Sequence, residues 1–168
     1  MKPKLLDLFC GAGGAGVGYH RAGFDVVGVD INPQPNYPFE FHQADALDYL
    51  ADNHQQFDAI HASPPCQHYS AMSNCRPGLS GDYPDMVDQT RQLLDAIGKP
   101  WVIENVPGSG MATQATLDGR HGIVLCGHMF GLNLYRHRIF ESNIELTEPP
   151  HPRHIKPASK AATGNRER

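Results

Sequence analysis

Cys66 stands in the stretch Ser63-Pro64-Pro65-Cys66-Gln67, directly behind an apolar run, Phe57-Asp58-Ala59-Ile60-His61-Ala62, that predicts a buried strand. The two prolines end the ladder, because neither donates a backbone N–H and each fixes φ. The thiol is thereby placed just past a strand's carboxyl end, on a stiffened loop, where open α/β sheets bind ligands. There it is a candidate nucleophile. A buried structural cysteine is the alternative, and Pro-Cys-Gln by itself leaves both readings open. Glu104 is the second chemically pointed residue. It interrupts the apolar run of Pro100-Trp101-Val102-Ile103-Glu104-Asn105-Val106-Pro107-Gly108. A carboxylate buried in such a run needs a partner or a raised pKa, and at a strand's carboxyl end it suits a reactive site. Arg136 and Arg138 occupy alternate positions and so share one strand face. Two guanidinium groups there suit a phosphate or a base edge, or else a pair of surface salt bridges.

These residues need a scaffold, and the chain reads as strands alternating with helices. Lys4 to Phe9 predicts the first strand. Cys10-Gly11-Ala12-Gly13-Gly14-Ala15-Gly16-Val17-Gly18 follows as a glycine-rich turn that opens a helix, with Gly23 as its stop. Phe24 to Asp30 is a second strand ending in an acid. Asp30 lies about twenty residues past the glycine turn, where an acid accepts hydrogen bonds from ribose hydroxyls. Phe39 to Asp45 reads as a third strand. Asp45 either accepts from an adenine amino group or caps a helix over 46–51, and both roles are compatible. This half-sheet predicts an adenosine-like ligand, either a dinucleotide or S-adenosylmethionine. The spacing Gly11-x-Gly13-x-x-Gly16 keeps a nicotinamide enzyme open.

Past Cys66 a polar stretch runs to Tyr83 and predicts a mobile active-site loop. Cys75 lies in it as a bystander. Pro84 opens a helix whose apolar positions run from Met86 to Ile97, and Gly98 ends it. Residues 122–127 and 137–142 predict two more strands, joined closely enough to pair antiparallel. With the strand over 57–62 and the one from Pro100, the count is seven.

The 168 residues suffice for one domain with a proper core, and no apolar run approaches a membrane span. Met1-Lys2-Pro3-Lys4 leads straight into the first strand, which predicts no secretory leader. Four scattered cysteines predict a reducing, cytoplasmic setting. Net charge is −4, unevenly spread: residues 151–168 carry +4 against −8 for the rest. That basic tail is compatible with a polyanion held locally, or is simply a solvated tail. We divide the chain into a catalytic domain over 1–147 and a flexible basic tail over 148–168. The ten histidines look scattered. Neither Cys66-x-His68 nor His151-x-x-His154 makes a ligand set, so no metal is expected.

Four motifs in order carry a family resemblance. Asp7-Leu8-Phe9-Cys10-Gly11-Ala12-Gly13-Gly14, Pro65-Cys66-Gln67, Glu104-Asn105-Val106 and Arg136-x-Arg138 resemble those of the cytosine-5 DNA methyltransferases, over residues 4 to 142. The resemblance implies an α/β fold of the class I S-adenosylmethionine-dependent methyltransferase (Rossmann-like) type, with seven strands and the last antiparallel. It implies S-adenosylmethionine as cofactor, S-adenosylhomocysteine as product, and DNA as partner. It carries Phe9, Gly11, Ala12, Gly14, Asp30, Ile31, Asp45, Ala46 and Pro65 over as cofactor-site residues. Cys66 becomes the nucleophile that adds to C6 of a flipped-out cytosine. Glu104 holds the base's N3 edge and exocyclic amine, and Arg136 and Arg138 orient the ring. Similar small proteins are frequent in bacteriophages, which points to a phage origin. Two departures stand out. Leu134 replaces the family's usual glutamine two residues before the first arginine. The chain also stops soon after the seventh strand, without a target-recognition domain or a closing helix, so a second copy or another polypeptide is expected to cover that flank. A catalytically silent S-adenosylmethionine-binding module is the competing reading. A nicotinamide enzyme ranks lower, because it gives Cys66 and Glu104 nothing to do.

Overall fold

In a computed structural model of the chain, residues 1–65, 86–114, 116, 117 and 119–154 are described. Seven strands form one sheet: β1 (Lys4–Leu8), β2 (Asp25–Asp30), β3 (Glu40–Gln43), β4 (Ala59–Ala62), β5 (Trp101–Asn105), β6 (His121–Cys126) and β7 (His137–Ser142). Three helices accompany them: α1 (Gly14–Arg21), α2 (Ala46–Asn53) and α3 (Met86–Ile97). The spatial order is β3-β2-β1-β4-β5-β7-β6. β1 to β5 run parallel, and β7 lies antiparallel between β5 and β6. This is the class I methyltransferase sheet, with its last strand reversed.

The strands form where the sequence is apolar on both faces, as buried parallel strands require. Leu6, Leu8, Val27, Val29, Ile60, Ala62 and Ile103 make the centre of the core, and Leu50, Val87, Leu94 and Trp101 pack onto it. α1 starts at Gly13, whose φ of +89° suits glycine, and stops at Gly23, whose amide bonds the His20 carbonyl at 3.0 Å. Gly28 serves packing: a Cβ there would overlap the Tyr37 ring, which lies across β2.

The topology dictates where a site can be. From β1 the chain winds outward through β2 and β3, then returns to β4 on the other side. The connections therefore diverge between β1 and β4, and a crevice opens beyond their carboxyl ends. The reversed β7 begins where the parallel strands finish. Its entry residues, Arg136 to Arg138, are delivered to the same end of the sheet.

Several boundaries differ from the sequence reading. Phe9 lies beyond β1 in the left-handed region, φ +55°, which interrupts the ladder. β3 ends at Gln43, because Asp45 turns the chain into α2. β5 ends at Asn105, whose side chain accepts from the next amide at 2.8 Å. Arg136 precedes β7 rather than sitting in it, and a 3-10 turn over Gly127–Phe130 opens the β6–β7 connection. Residues 148–154 belong to no helix or strand, yet His151 and His154 pack against the β6–β7 hairpin. The expected loop after Cys66, Cys75, Pro84 and the tail beyond His154 lie outside the described residues.

Candidate active site

A cleft of about 600 Å³ opens at the carboxyl ends of β1, β2, β4 and β5. Nine of the thirteen residues nominated from sequence line it: Glu104, Arg136, Arg138, Phe9, Asp30, Ile31, Asp45, Ala46 and Pro65. Cys66 lies outside the described residues, and Pro65 immediately before it is in the wall. The remaining three, Gly11, Ala12 and Gly14, do not line the cleft. The Gly11 amide is already committed to Asp30 Oδ2 at 3.0 Å, and Ala12 and Gly14 are exposed at the start of α1.

On the β1–β3 side the acids are fixed by the backbone. Asp30 accepts from Gly11 N through Oδ2 and from Asn32 N through Oδ1 at 2.9 Å, tying the glycine turn to the end of β2. Asp45 caps α2, and both of its bonds, from Leu47 N at 2.9 Å and Asp48 N at 3.1 Å, fall on Oδ1. Oδ2 takes neither. Between the two acids Ile31 is 65 % exposed, an isoleucine held open at the cleft wall. Phe9 adds a second apolar surface. Two carboxylates flanking open apolar side chains suit a ligand with hydroxyl and amine donors around a flat ring.

The other side carries the reactive groups. Glu104 is half-buried rather than fully buried, and its Oε1 lies 2.8 Å from Arg138 Nε. The register explains the pair. Glu104 stands opposite Phe140 across β5 and β7, so Arg138, two residues away, is its diagonal neighbour on the same face. Arg138 also donates to the His137 carbonyl at 2.9 Å, which fixes the guanidinium. Arg136 is exposed at the mouth.

Residues to which the sequence reading gave no role of their own hold the wall in place. Buried Asn105 donates through Nδ2 to the Pro64 carbonyl at 3.1 Å, tying the end of β5 to the proline loop. His61 sits within 2.9 Å of Ser63 Oγ and within 3.1 Å of the Tyr19 hydroxyl. Burial pushes the His61 imidazole down to about 4, so it is a neutral strut at ordinary pH. A polar residue closing a buried strand, as Asn105 does, is the sequence signal for such a strut.

Under the glycine turn lies a further group. Asp7 is on β1, 1 % exposed, on the face opposite Leu6 and Leu8. Its Oδ2 accepts from the Tyr37 hydroxyl at 3.0 Å, while Oδ1 is buried with no hydrogen-bond partner among the described residues. Burial drives its carboxyl up to about 7, against smaller downward pulls from Tyr37 and the Gly16 amide. Burial likewise pushes the neighbouring Cys10 thiol up to about 12, so it stays protonated and is no nucleophile.

Residues 3–110 match the model of the family described as C-5 cytosine-specific DNA methylase. The Type II methyltransferase M.AgeI of Thalassovita gelatinovora is 27% identical over 188 residues, covering 90% of this chain and 42% of its own length. The Type II methyltransferase M.FnuDI of Fusobacterium nucleatum is 30% identical over 125 residues, covering 68% of this chain and 36% of its own. Among solved structures, a prophage-encoded protein of E. coli assigned as a DNA modification methyltransferase superposes with a TM-score of 0.60 at 23% identity, over 83% of this chain and 46% of that one. That last likeness carries the fold alone. The chain spans less than half the length of each of these three.

Proposed function

The chain belongs to the C-5 cytosine-specific DNA methylase family, and from that membership we propose that it methylates C5 of cytosine in DNA through a covalent adduct on Cys66. The observation that carries the reading is the shared cleft: the Glu104–Arg138 pair and Pro65, the residue before Cys66, face the same space as Asp30 and Asp45.

The cofactor side fits S-adenosylmethionine, the methyl donor of this fold. Open Ile31 and Phe9 offer surfaces for an adenine ring. Asp30 offers carboxylate lone pairs to ribose hydroxyls, and the Oδ2 of Asp45 offers an acceptor to the adenine amine. Bound there, the cofactor supplies an electrophilic methyl group.

The chain's own residues make the cytosine ready for it. C5 of cytosine is a weak nucleophile. The Cys66 thiol gives up its proton, and the thiolate forms a bond to C6, which moves the electron pair of the C5–C6 bond to C5. Arg136 and Arg138 supply the positive charge that favours the thiolate and steadies the ring as charge develops. Glu104 Oε1 is held by Arg138, and Oε2 remains to accept from the exocyclic amine and from N3–H of the base protonated as the thiolate adds. Once C5 carries the methyl group, the C5 proton departs, its electron pair re-forms the C5–C6 double bond, and the thiolate leaves C6 and takes back the proton it gave up. Atoms balance: one proton is released and one methyl gained. The target base leaves the stack first, at a cost of a few kcal/mol.

Trapping tests the reading. Duplex DNA containing 5-fluorocytosine blocks the last step, because fluorine does not depart as a cation. With cofactor, the full chain is expected to form a denaturant-resistant complex with this DNA, and Cys66→Ser is expected to form none. Cofactor binding without trapping, and without transfer of labelled methyl to ordinary duplex DNA, would overturn the proposal in favour of a silent binding module.

A further inference from the structure

Away from the cleft, the fold gathers residues that sequence spacing set aside. Cys126 closes β6, His137 opens β7, and His151 and His154 lie on the segment that follows β7. One ligand atom from each of the four lies within 4.8 Å of every other. Spacing along the chain gives His151-x-x-His154 no further partners, but β6 and β7 pair antiparallel and set Cys126 directly opposite His137. From these positions we infer that Cys126, His137, His151 and His154 form a zinc site, a closed set of one thiolate and three imidazoles.

The distances suit the ion. Zinc at about 2.05 Å from nitrogen and about 2.3 Å from sulfur, in a tetrahedron, implies edges of about 3.3 Å between nitrogens and about 3.6 Å between sulfur and nitrogen. His137 Nε2 and His151 Nε2 are 3.2 Å apart, and Cys126 Sγ and His154 Nε2 are 3.5 Å apart. The outer ring contacts agree. His151 Nδ1 lies 2.8 Å from the Pro152 carbonyl, an acceptor only, so Nδ1 carries that ring's hydrogen. In the neutral ring Nε2 then presents a lone pair inward, which is the tautomer a metal needs. His154 is stacked on Tyr135, with ring centroids 4.1 Å apart and planes inclined by 15°, which fixes its orientation. Four protein ligands leave no open position, so the ion is structural. One soft thiolate among imidazoles favours zinc over magnesium or calcium.

The consequence is mechanical. The ion pins the segment after β7 to the β6–β7 hairpin, and one of its ligands, His137, stands between Arg136 and Arg138. The site belongs to this chain whether or not the cytosine chemistry above is right, and its test reads metal, not methyl transfer. The full chain without a histidine tag, purified and exhaustively dialysed, is expected to retain one zinc per chain by elemental analysis. Cobalt exchanged into it is expected to give the intense visible bands of a tetrahedral ion and a thiolate charge-transfer band. Cys126→Ser should remove the charge-transfer band. His151 is exposed, so His151→Ala is expected to fold yet bind zinc more than about a hundredfold more weakly. Loss of metal on dialysis, a weak octahedral cobalt spectrum, or unchanged zinc affinity in His151→Ala would each overturn the site.

Discussion

Asp7→Asn gives the sharpest test of how the region beneath the glycine turn is built. Asp7 is 1 % exposed, with Oδ1 unpartnered among the described residues and Oδ2 accepting from the Tyr37 hydroxyl. Its carboxyl rises from 3.8 to about 7 on folding, mainly through burial. The folded state therefore binds the proton more tightly than the unfolded chain does. The contribution to stability is fully present below pH 3.8 and is lost as pH rises towards about 7. Three units at 1.36 kcal/mol each make the loss about 4 kcal/mol. Asparagine keeps the shape and the oxygen that accepts from Tyr37, and removes the ionisation. Urea unfolding of both proteins from pH 4.5 to 8 is the assay, with the difference between them isolating Asp7, because His61 and Cys10 are common to both. Part of the loss is already made at pH 4.5, so the variant is expected to gain on the parent by about 3 kcal/mol across that range. A difference curve that stays flat, or one that falls with pH, would refute the buried-carboxyl account.

Three further outcomes follow from the geometry. Asp45→Ser retains an N-cap, so unfolding should move by under about 0.5 kcal/mol, while loss of the carboxylate should weaken S-adenosylmethionine binding on the order of ten- to a hundredfold by calorimetry; unchanged affinity would remove Asp45 from the cofactor site. Arg91→Leu strips Glu141, 1 % exposed, of its 2.6 Å partner and leaves it Arg120 at 3.7 Å and the Ala112 amide; a loss of about 3 kcal/mol in urea unfolding is expected, with most of it recovered when Glu141→Leu is added. Gly28→Ala drives a methyl into the Tyr37 ring and should cost about 1–3 kcal/mol, and Tyr37→Leu in the same chain should cancel part of that cost.

What the sequence disclosed, and what it withheld, follow from the range of the forces involved. The seven strands along the chain and the placing of Glu104, Asp30 and Asp45 were legible because apolar runs ending in acids recur along the chain, and each acid is read from its immediate neighbours. His137 to Ser142 emerged with its bounds intact. Long-range contacts were not legible. Nothing near Asp7 announces Tyr37, thirty residues on, and nothing near Arg91 announces Glu141, fifty residues on. The gathering of Cys126, His137, His151 and His154 was hidden for the same reason: residues brought together across a strand pair have no short spacing to betray them. In the glycine turn the sequence did not show that the Gly11 amide is spent on Asp30, nineteen residues on.

The reversed β7 has a consequence for synthesis. β5 pairs with β4 on one side and with β7 on the other, and roughly thirty residues separate the end of β5 from the start of β7. While those residues emerge from the ribosome, the outer edge of β5 stands bare, and bare edges invite pairing with other chains. Glu104, a charge set into that edge strand, is then without Arg138 and guards it. The strand that supplies Arg138 is also the one that covers that edge, so the nascent chain gains the Glu104–Arg138 pair and the cover over β5 in a single event.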